Sequence, residues 1–172
     1  MRLKMGEISE RGLDVVAENP DAWAREAAAM GMEGEVQHIE LRARVQRVSD
    51  CVRIFGTLEA TVHRDCDRCQ TSLRVELGGD FDLYYAPPRP GDDGDRDLVP
   101  GDLDIGWFDG EALDIAQVIS EQLAIWLPDL VVCENAGVTR LEADAGPCEV
   151  LTHDGGPELK PNSPFAGLRL PD

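Results

Sequence analysis

Two stretches that alternate between apolar and polar residues constrain the fold of this chain more than any other feature. The first covers residues 39–45 and the second covers residues 52–62, with an apolar residue at nearly every second position. Period two places the apolar side chains on one face of a β-strand. Ser49-Asp50 lies between the stretches and is typical of a turn, so they predict an antiparallel hairpin.

The chain after this hairpin predicts more strands and then a loop. Leu73–Leu77 and Phe81–Tyr85 have the composition of short strands, and Gly78-Gly79 between them predicts a bulge or bend. Prolines and glycines then stop regular structure. The aspartates of the following stretch predict a mobile acidic loop over residues 87–97.

Two other segments have helical character. The Ala-rich stretch after Asn19-Pro20 predicts a short N-terminal helix at about residues 20–30. From Glu111 the apolar residues recur every three or four positions until Pro128, which predicts one main buried helix at about 111–127. We therefore predict an α+β fold: an antiparallel, barrel-like or strongly curved sheet, these two helices and an irregular C-terminal tail.

The length of 172 residues fits a single domain over residues 1–172. We expect the folded core to cover about residues 3–128. Residues 129–172 are rich in glycine, proline and charge, so we expect an extended, partly disordered tail that docks at a few points.

The charge of the chain indicates what kind of partner it has. Sixteen basic residues face 34 acidic ones, which gives a net charge of −18. Direct binding to nucleic-acid phosphates needs clustered Lys and Arg, whereas an acidic surface attracts basic proteins. A basic protein partner therefore suits this chain better than naked RNA or DNA. The alternative interpretation is that the acidity serves only solubility.

The sequence also predicts where the protein works. The N-terminus has no apolar run after its positive charges, and no segment approaches about eighteen consecutive apolar residues. We expect a cytoplasmic protein with no membrane partner. Five cysteines in a reducing compartment argue against a disulfide framework.

Cys66 and Cys69 form a CxxC element, the sharpest chemical signal in the chain. The two-residue spacer lets both sulfurs bind one ion, as in structural zinc sites. Two more ligands would come from a set of four candidates: Cys133, Cys148, His63 and His153. A zinc site of Cys66, Cys69, Cys133 and Cys148 is stereochemically plausible. Since the last two cysteines do not form a second CxxC, reduced cysteines without a metal are the alternative.

Catalytic signals are missing. The CxxC element lies between strands and beside Asp65 and Asp67, whose charge raises a thiol pKa, so it is a poor redox site. The sequence has no phosphate loop, no nucleophile elbow and no clustered acid–base residues. We predict that the protein is not an enzyme and has no catalytic residues. Cys51 has no assigned role.

Several motifs follow one another in a particular order. Cys66-Asp67-Arg68-Cys69 comes first, then a helix that opens near Asp114-Ile115 and ends at Leu127-Pro128, and then Cys133. This order resembles the YceD family, the large ribosomal RNA subunit accumulation proteins. The resemblance covers roughly Leu3 to Leu170.

The resemblance implies a non-enzymatic role in the accumulation of large-subunit ribosomal RNA and in ribosome assembly. With the acidic composition, it leads us to expect a basic ribosomal protein or assembly factor as the direct partner, and an indirect association with the ribosomal RNA. The alternative is a structural zinc-binding domain that contacts RNA directly.

Overall fold

The computed structural model describes residues 1–19, 21–87, 105–108, 110–142 and 146–149. The predicted loop, apart from Pro87, and the tail beyond residue 149 lie outside these residues. In chain order the strands and α-helices are β1 (Arg2–Lys4), β2 (Leu13–Ala17), α1 (Ala22–Met30), β3 (Glu35–Val48), β4 (Cys51–Asp65), β5 (Ser72–Ala86), β6 (Ile105–Trp107), β7 (Ala112–Asp114), α2 (Ile115–Trp126) and β8 (Val138–Arg140). A 3-10 helix, Met5–Glu7, follows β1.

Three long strands form the centre of the molecule. The main sheet has the order β2-β3-β4-β5-β6, and β8 pairs with one end of β5. Its pairings are antiparallel except for β5 with β6, which is parallel. β1 and β7 pair separately as a two-stranded sheet. β3, β4 and β5 thus lie side by side in chain order, and each runs antiparallel to the strand before it, which is the pattern of a β-meander.

The predicted hairpin is confirmed by the pairing of β3 with β4. Ile39 lies opposite Ala60 and Val45 lies opposite Ile54, so the two apolar faces coincide. Ser49-Asp50 forms the turn, where Ser49 has the left-handed φ of 55°. The alternating apolar side chains from Ile39 to Val45 and from Val52 to Val62 are buried, whereas Val48 at the end of β3 is exposed.

The prediction of a barrel-like sheet is wrong, because the sheet is open. β2 and β6 lie on opposite sides of the main sheet and do not pair with each other within the described residues. They have five and three residues, against 14 or 15 for the central strands. Closure would require long, staggered strands all round. Here the helices cover the apolar face instead, so a barrel is not needed to bury it.

The predicted break at Gly78-Gly79 is also wrong. β5 continues through both glycines and keeps its register, with Gly79 opposite Leu58 and Gly78 opposite Glu59. The continuous backbone pairing of β5 with β4 outweighs the local preference of the two glycines for a bulge or bend. What the sequence presents as two short strands is one strand of 15 residues.

The helices differ from the single buried helix that the sequence predicts. α2 begins at Ile115, after the predicted start at 111, because Ala112–Asp114 pairs with β1. Asp114 then caps the helix by accepting a hydrogen bond from the Ala116 N–H at 3.0 Å. α1 is buried as well, since it packs on α2 so closely that a Cβ at Gly31 would lie 2.5 Å from the Ser120 carbonyl oxygen.

The core lies between the helices and one face of the sheet. Buried side chains alternate along β3, β4 and β5, and they pack with the buried faces of α1 and α2. The intervening side chains form the other face of the sheet, which carries most of its charged residues. No helix in the described part of the chain is long and apolar enough to cross a membrane.

Part of the predicted irregular tail is regular. Val138–Arg140 forms β8 and pairs antiparallel with Leu73–Val75 of β5. The short strand returns the chain to the sheet beside the CxxC turn. Sequence patterning could not reveal it, because three residues are too few to show a period.

Candidate functional site

Four cysteine sulfurs meet at the end of the sheet where β4 turns into β5. The sulfurs of Cys66, Cys69, Cys133 and Cys148 all lie within 4.8 Å of one another. The Sγ atoms of Cys66 and Cys148 are 3.7 Å apart, and those of Cys69 and Cys133 are 3.6 Å apart. The structure therefore brings together all four cysteines of the predicted site, and we call this group the cysteine cluster.

The spacing of these sulfurs suits a single bound ion. Four sulfurs about 2.3 Å from a central Zn²⁺ stand about 3.8 Å apart along each edge of a tetrahedron. The two short distances in the cluster, 3.7 Å and 3.6 Å, are close to that edge. A disulfide needs about 2.0 Å between sulfurs, and all five cysteines are free. The donor set thus fits a soft tetrahedral metal ion.

The turn between β4 and β5 holds the first two cysteines. The Cys66 N–H donates to the Thr71 carbonyl, and the Gln70 N–H donates to the Cys66 carbonyl, both at 2.9 Å. Gln70 closes the turn with a left-handed φ of 59°. Inside it, the Arg68 N–H points at the Cys66 sulfur at 3.4 Å. The backbone thus directs both sulfurs to one side of the turn.

Asp67, between the two cysteines, joins the turn to the chain after α2. Its carboxylate accepts a hydrogen bond from the Val131 N–H at 2.6 Å and pairs with Arg64 at 2.7 Å. Two residues beyond Val131 comes Cys133. The position of the third sulfur therefore depends on a carboxylate inside the CxxC element.

Cys148 reaches the cluster from the segment beyond β8. Arg140, the last residue of β8, donates to the Gly146 carbonyl at 2.6 Å and directs the chain back toward the turn. Arg68 contacts both the segment just after Cys133 and Cys148 itself. Its Nη1 lies 3.1 Å from a carboxylate oxygen of Glu134 and 3.9 Å from the Cys148 sulfur.

The four thiols differ in how readily they ionise. A hydrogen bond with the Thr71 hydroxyl lowers the pKa of Cys69 to about 6. Burial opposes ionisation of Cys66, but backbone N–H groups, first that of Cys69, outweigh it and lower its pKa. Burial raises the pKa of Cys133, and it raises the pKa of Cys148 to about 12. The surroundings thus favour ionisation of the two CxxC thiols, contrary to the raised pKa that Asp65 and Asp67 led us to expect, and they oppose ionisation of Cys133 and Cys148.

An acidic groove of about 640 Å³ adjoins the cluster. We define it by the carboxylates of Glu33, Glu35, Asp65 and Asp67. Glu33 lies just before β3 and Glu35 begins it, whereas Asp65 ends β4 and Asp67 lies in the CxxC turn. The groove and the cluster thus share one turn of the chain.

The other sequence candidates lie elsewhere. His63 lines the acidic groove and is not part of the cysteine cluster. His153 lies outside the described residues, and Cys51 opens β4 at the far end of that strand. Sequence analysis missed the link from Asp67 to Val131 and the position of Glu33 and Glu35. The only sequence signal for them was an aspartate inside the CxxC element.

Together the fold and the site define a sheet-rich domain in which a CxxC turn gathers two further cysteines from the chain after a buried helix. The model of the family described as large ribosomal RNA subunit accumulation protein YceD matches residues 54–170. Because this match covers more than half of the chain, the protein belongs to the YceD family, as its motifs predicted. No curated protein sequence and no solved structure shows significant similarity to the chain.

Proposed function

We propose that this chain is a non-enzymatic factor for the accumulation of large-subunit ribosomal RNA and that it acts by binding a basic protein partner. The observation that carries the proposal is membership of a family described by that accumulation role. The description names a role in the amount of an RNA and no chemical reaction.

The net charge of −18 supports a protein partner over naked RNA. RNA and this chain are both strongly negative, so their long-range interaction is repulsive. Many ribosome-binding proteins need a basic surface to hold RNA, and an acidic protein can occupy that surface until RNA displaces it. The partner we infer is a basic ribosomal protein or assembly factor, and the association with RNA is indirect.

The acidic groove suits such a partner. Glu33, Glu35 and Asp65 are exposed there. Arg64 lines the groove too, but its guanidinium is paired with Asp67 at 2.7 Å. The other three carboxylates are therefore available to attract lysines and arginines of a partner.

Direct RNA contact by a zinc-binding domain is the second candidate, and the cysteine cluster is the observation that favours it. The arginines on the solvent face of the sheet argue against it. Arg42 lies 2.6 Å from Glu40, Arg44 lies 2.7 Å from Asp14, and Arg53 lies 2.6 Å from Asp82. RNA phosphates would have to compete with these carboxylates for each guanidinium.

A binding experiment separates the two candidates. The full chain, purified and immobilised, is offered basic ribosomal proteins and naked ribosomal RNA at low and at moderate salt. We expect retention of ribosomal proteins, weakened by salt because the contacts are ionic. Preference for naked ribosomal RNA would contradict the proposal.

Two matched variants test the acidic groove. The groove variant carries Glu33→Gln, Glu35→Gln and Asp65→Asn, and the control variant carries Glu10→Gln, Asp50→Asn and Glu59→Gln. Each removes three negative charges, so each changes the net charge from −18 to −15. We expect the groove variant to lose most of the binding and the control variant to lose little. Equal losses would show that only total charge matters.

Deletion of the gene tests the cellular role. A ribosome profile and a ribosomal RNA blot should show a deficit of large-subunit RNA. A normal level of that RNA would remove the proposed function, whatever the binding experiment shows.

A further inference from the structure

We propose that Cys66, Cys69, Cys133 and Cys148 bind one Zn²⁺, and that this ion clasps the chain after α2 to the turn between β4 and β5. The inference goes beyond the proposed function, since it concerns how the fold is held together. It rests on the geometry of the cysteine cluster. All four sulfurs lie within 4.8 Å of one another, as the ligands of a single ion do.

The donor set selects the metal. Four thiolates in a tetrahedral arrangement suit zinc or iron, and zinc binds such a site more tightly than ferrous iron. A cluster of several irons would need the sulfurs spread farther apart than 3.6 and 3.7 Å. With four protein ligands the ion has no open position, so the site is structural and supplies no catalysis.

The surroundings of the cluster suit its charge when metal is bound. Zn²⁺ with four thiolates carries two net negative charges. In this acidic chain two arginines nevertheless lie at the cluster. Arg68 places Nη1 3.9 Å from the Cys148 sulfur, and Arg140 interacts with the Cys133 sulfur. The Arg68 N–H also points at the Cys66 sulfur at 3.4 Å. Such donors around the sulfurs stabilise thiolate ligands.

The topology explains what the ion holds. Cys66 and Cys69 belong to the turn of the long β4–β5 hairpin, which has its own extensive ladder. Cys133 and Cys148 belong to the chain after α2, where β8 contributes only three paired residues. The ion therefore stabilises the later segment more than the sheet. Loss of metal should release residues around β8 and leave the sheet folded.

Metal analysis of the full chain, purified without an affinity tag, tests the site. We expect one zinc per chain. Cys66→Ser and Cys148→Ser should each lower the zinc affinity at least 10-fold, whereas Cys51→Ser, the matched control in the fifth cysteine, should leave it unchanged. Iron in place of zinc, no metal in the reduced wild-type protein, two disulfides, or an equal loss in the Cys51 variant would each overturn the proposal.

A second measurement needs no variant and so does not depend on whether a variant folds. Wild-type protein is treated with a chelator and digested briefly with trypsin, and the fragments are identified by mass spectrometry. Cleavage after Arg140 in β8 should become several-fold faster, and added zinc should reverse the change. Cleavage after the exposed Arg11 serves as the internal control. If chelation leaves cleavage after Arg140 unchanged, the ion does not clasp this segment. Neither result bears on the binding partner, so this experiment does not test the proposed function.

Discussion

Asp67 and Val131 are joined by two hydrogen bonds that run in opposite directions. The Asp67 N–H donates to the Val131 carbonyl at 2.8 Å, and the Val131 N–H donates to the Asp67 carboxylate at 2.6 Å. Val131 is fully buried, with an exposed fraction of 0%. Its N–H therefore cannot form a hydrogen bond to water in place of the carboxylate if the carboxylate is lost. This reciprocal pair fixes the chain after α2 on the CxxC turn.

Replacing this carboxylate should destabilise the protein. Asp67→Ala leaves the buried Val131 N–H unpaired and removes the partner of Arg64, so we expect a loss of about 1–3 kcal/mol in the free energy of unfolding. Asp67→Asn keeps an acceptor and should lose less. Urea unfolding measures both. Asp65→Ala, an exposed neighbour that bonds only Ser72 among described side chains, is the control. A loss for Asp67→Ala no larger than the loss for this control would contradict the prediction.

The left-handed backbone at Gln70 gives a second prediction. A φ of 59° is costly for residues with a branched Cβ and free of strain for glycine. We expect Gln70→Val to lower stability by about 1–2 kcal/mol. Gln70→Gly should stay close to wild type, because relief of strain offsets the lost side-chain bond to the Cys66 carbonyl. Thermal unfolding compares the two variants. Equal melting temperatures for them would mean that the turn adapts to a β-branched residue.

Close approach of two strands makes Gly56 sensitive to any side chain. A Cβ there would lie 2.0 Å from the Arg42 carbonyl oxygen and 2.7 Å from the Ala43 Cα, both backbone atoms of β3. Backbone cannot move aside as a flexible side chain can, so Gly56→Ala should cost roughly 2–3 kcal/mol. Gly6→Ala has nothing within 4 Å of the new Cβ and is the control. Chemical unfolding that finds the two variants alike would show that β3 and β4 can separate without loss.

Tyr85 predicts how stability depends on alkaline pH. Burial, with the negative charge of Glu121, raises the pKa of Tyr85 above its usual value. Above about pH 10 the unfolded chain loses the phenolic proton and the folded chain keeps it. The unfolded state then binds fewer protons, so stability falls as pH rises, by up to about 1.4 kcal/mol per pH unit.

Unfolding by urea between pH 8 and pH 11 measures this slope. Tyr85→Phe removes the phenol and should flatten the slope relative to wild type. Tyr84→Phe is the neighbouring control, since Tyr84 is exposed on β5. The prediction fails if the wild-type and Tyr85→Phe proteins lose stability in parallel as the pH rises.

The sequence predicted the parts of the fold that depend on local order. Alternation along residues 39–62 was enough to place the β3–β4 hairpin, because each strand follows its neighbour directly. The start of α2 was predicted wrongly because Ala112–Asp114 pairs with Arg2–Lys4, more than a hundred residues earlier. The open sheet was missed for a similar reason: period two shows which face is buried but not whether a helix or another strand covers it.

In the cysteine cluster, too, the sequence predicted what depends on local spacing and not what depends on tertiary packing. CxxC spacing predicted that Cys66 and Cys69 act together, since two residues of spacer already limit the distance between their sulfurs. It could not establish that Cys133 and Cys148 approach them, because that depends on the packing of α2, on β8 and on Asp67. The structure places the four together as predicted, and metal binding stays a prediction.

The long hairpins and the cysteine cluster assemble from very different stretches of chain. β3, β4 and β5 are consecutive, so they can pair soon after they leave the ribosome that makes them. Cys148 follows Cys66 by 82 residues, which takes roughly 4–16 s to synthesise at 5–20 residues per second. Until Cys133 is made, 67 residues after Cys66, the CxxC turn presents two sulfurs without either partner. The proposed zinc site therefore requires that Cys66 and Cys69 stay reduced until Cys133 and Cys148 have been translated.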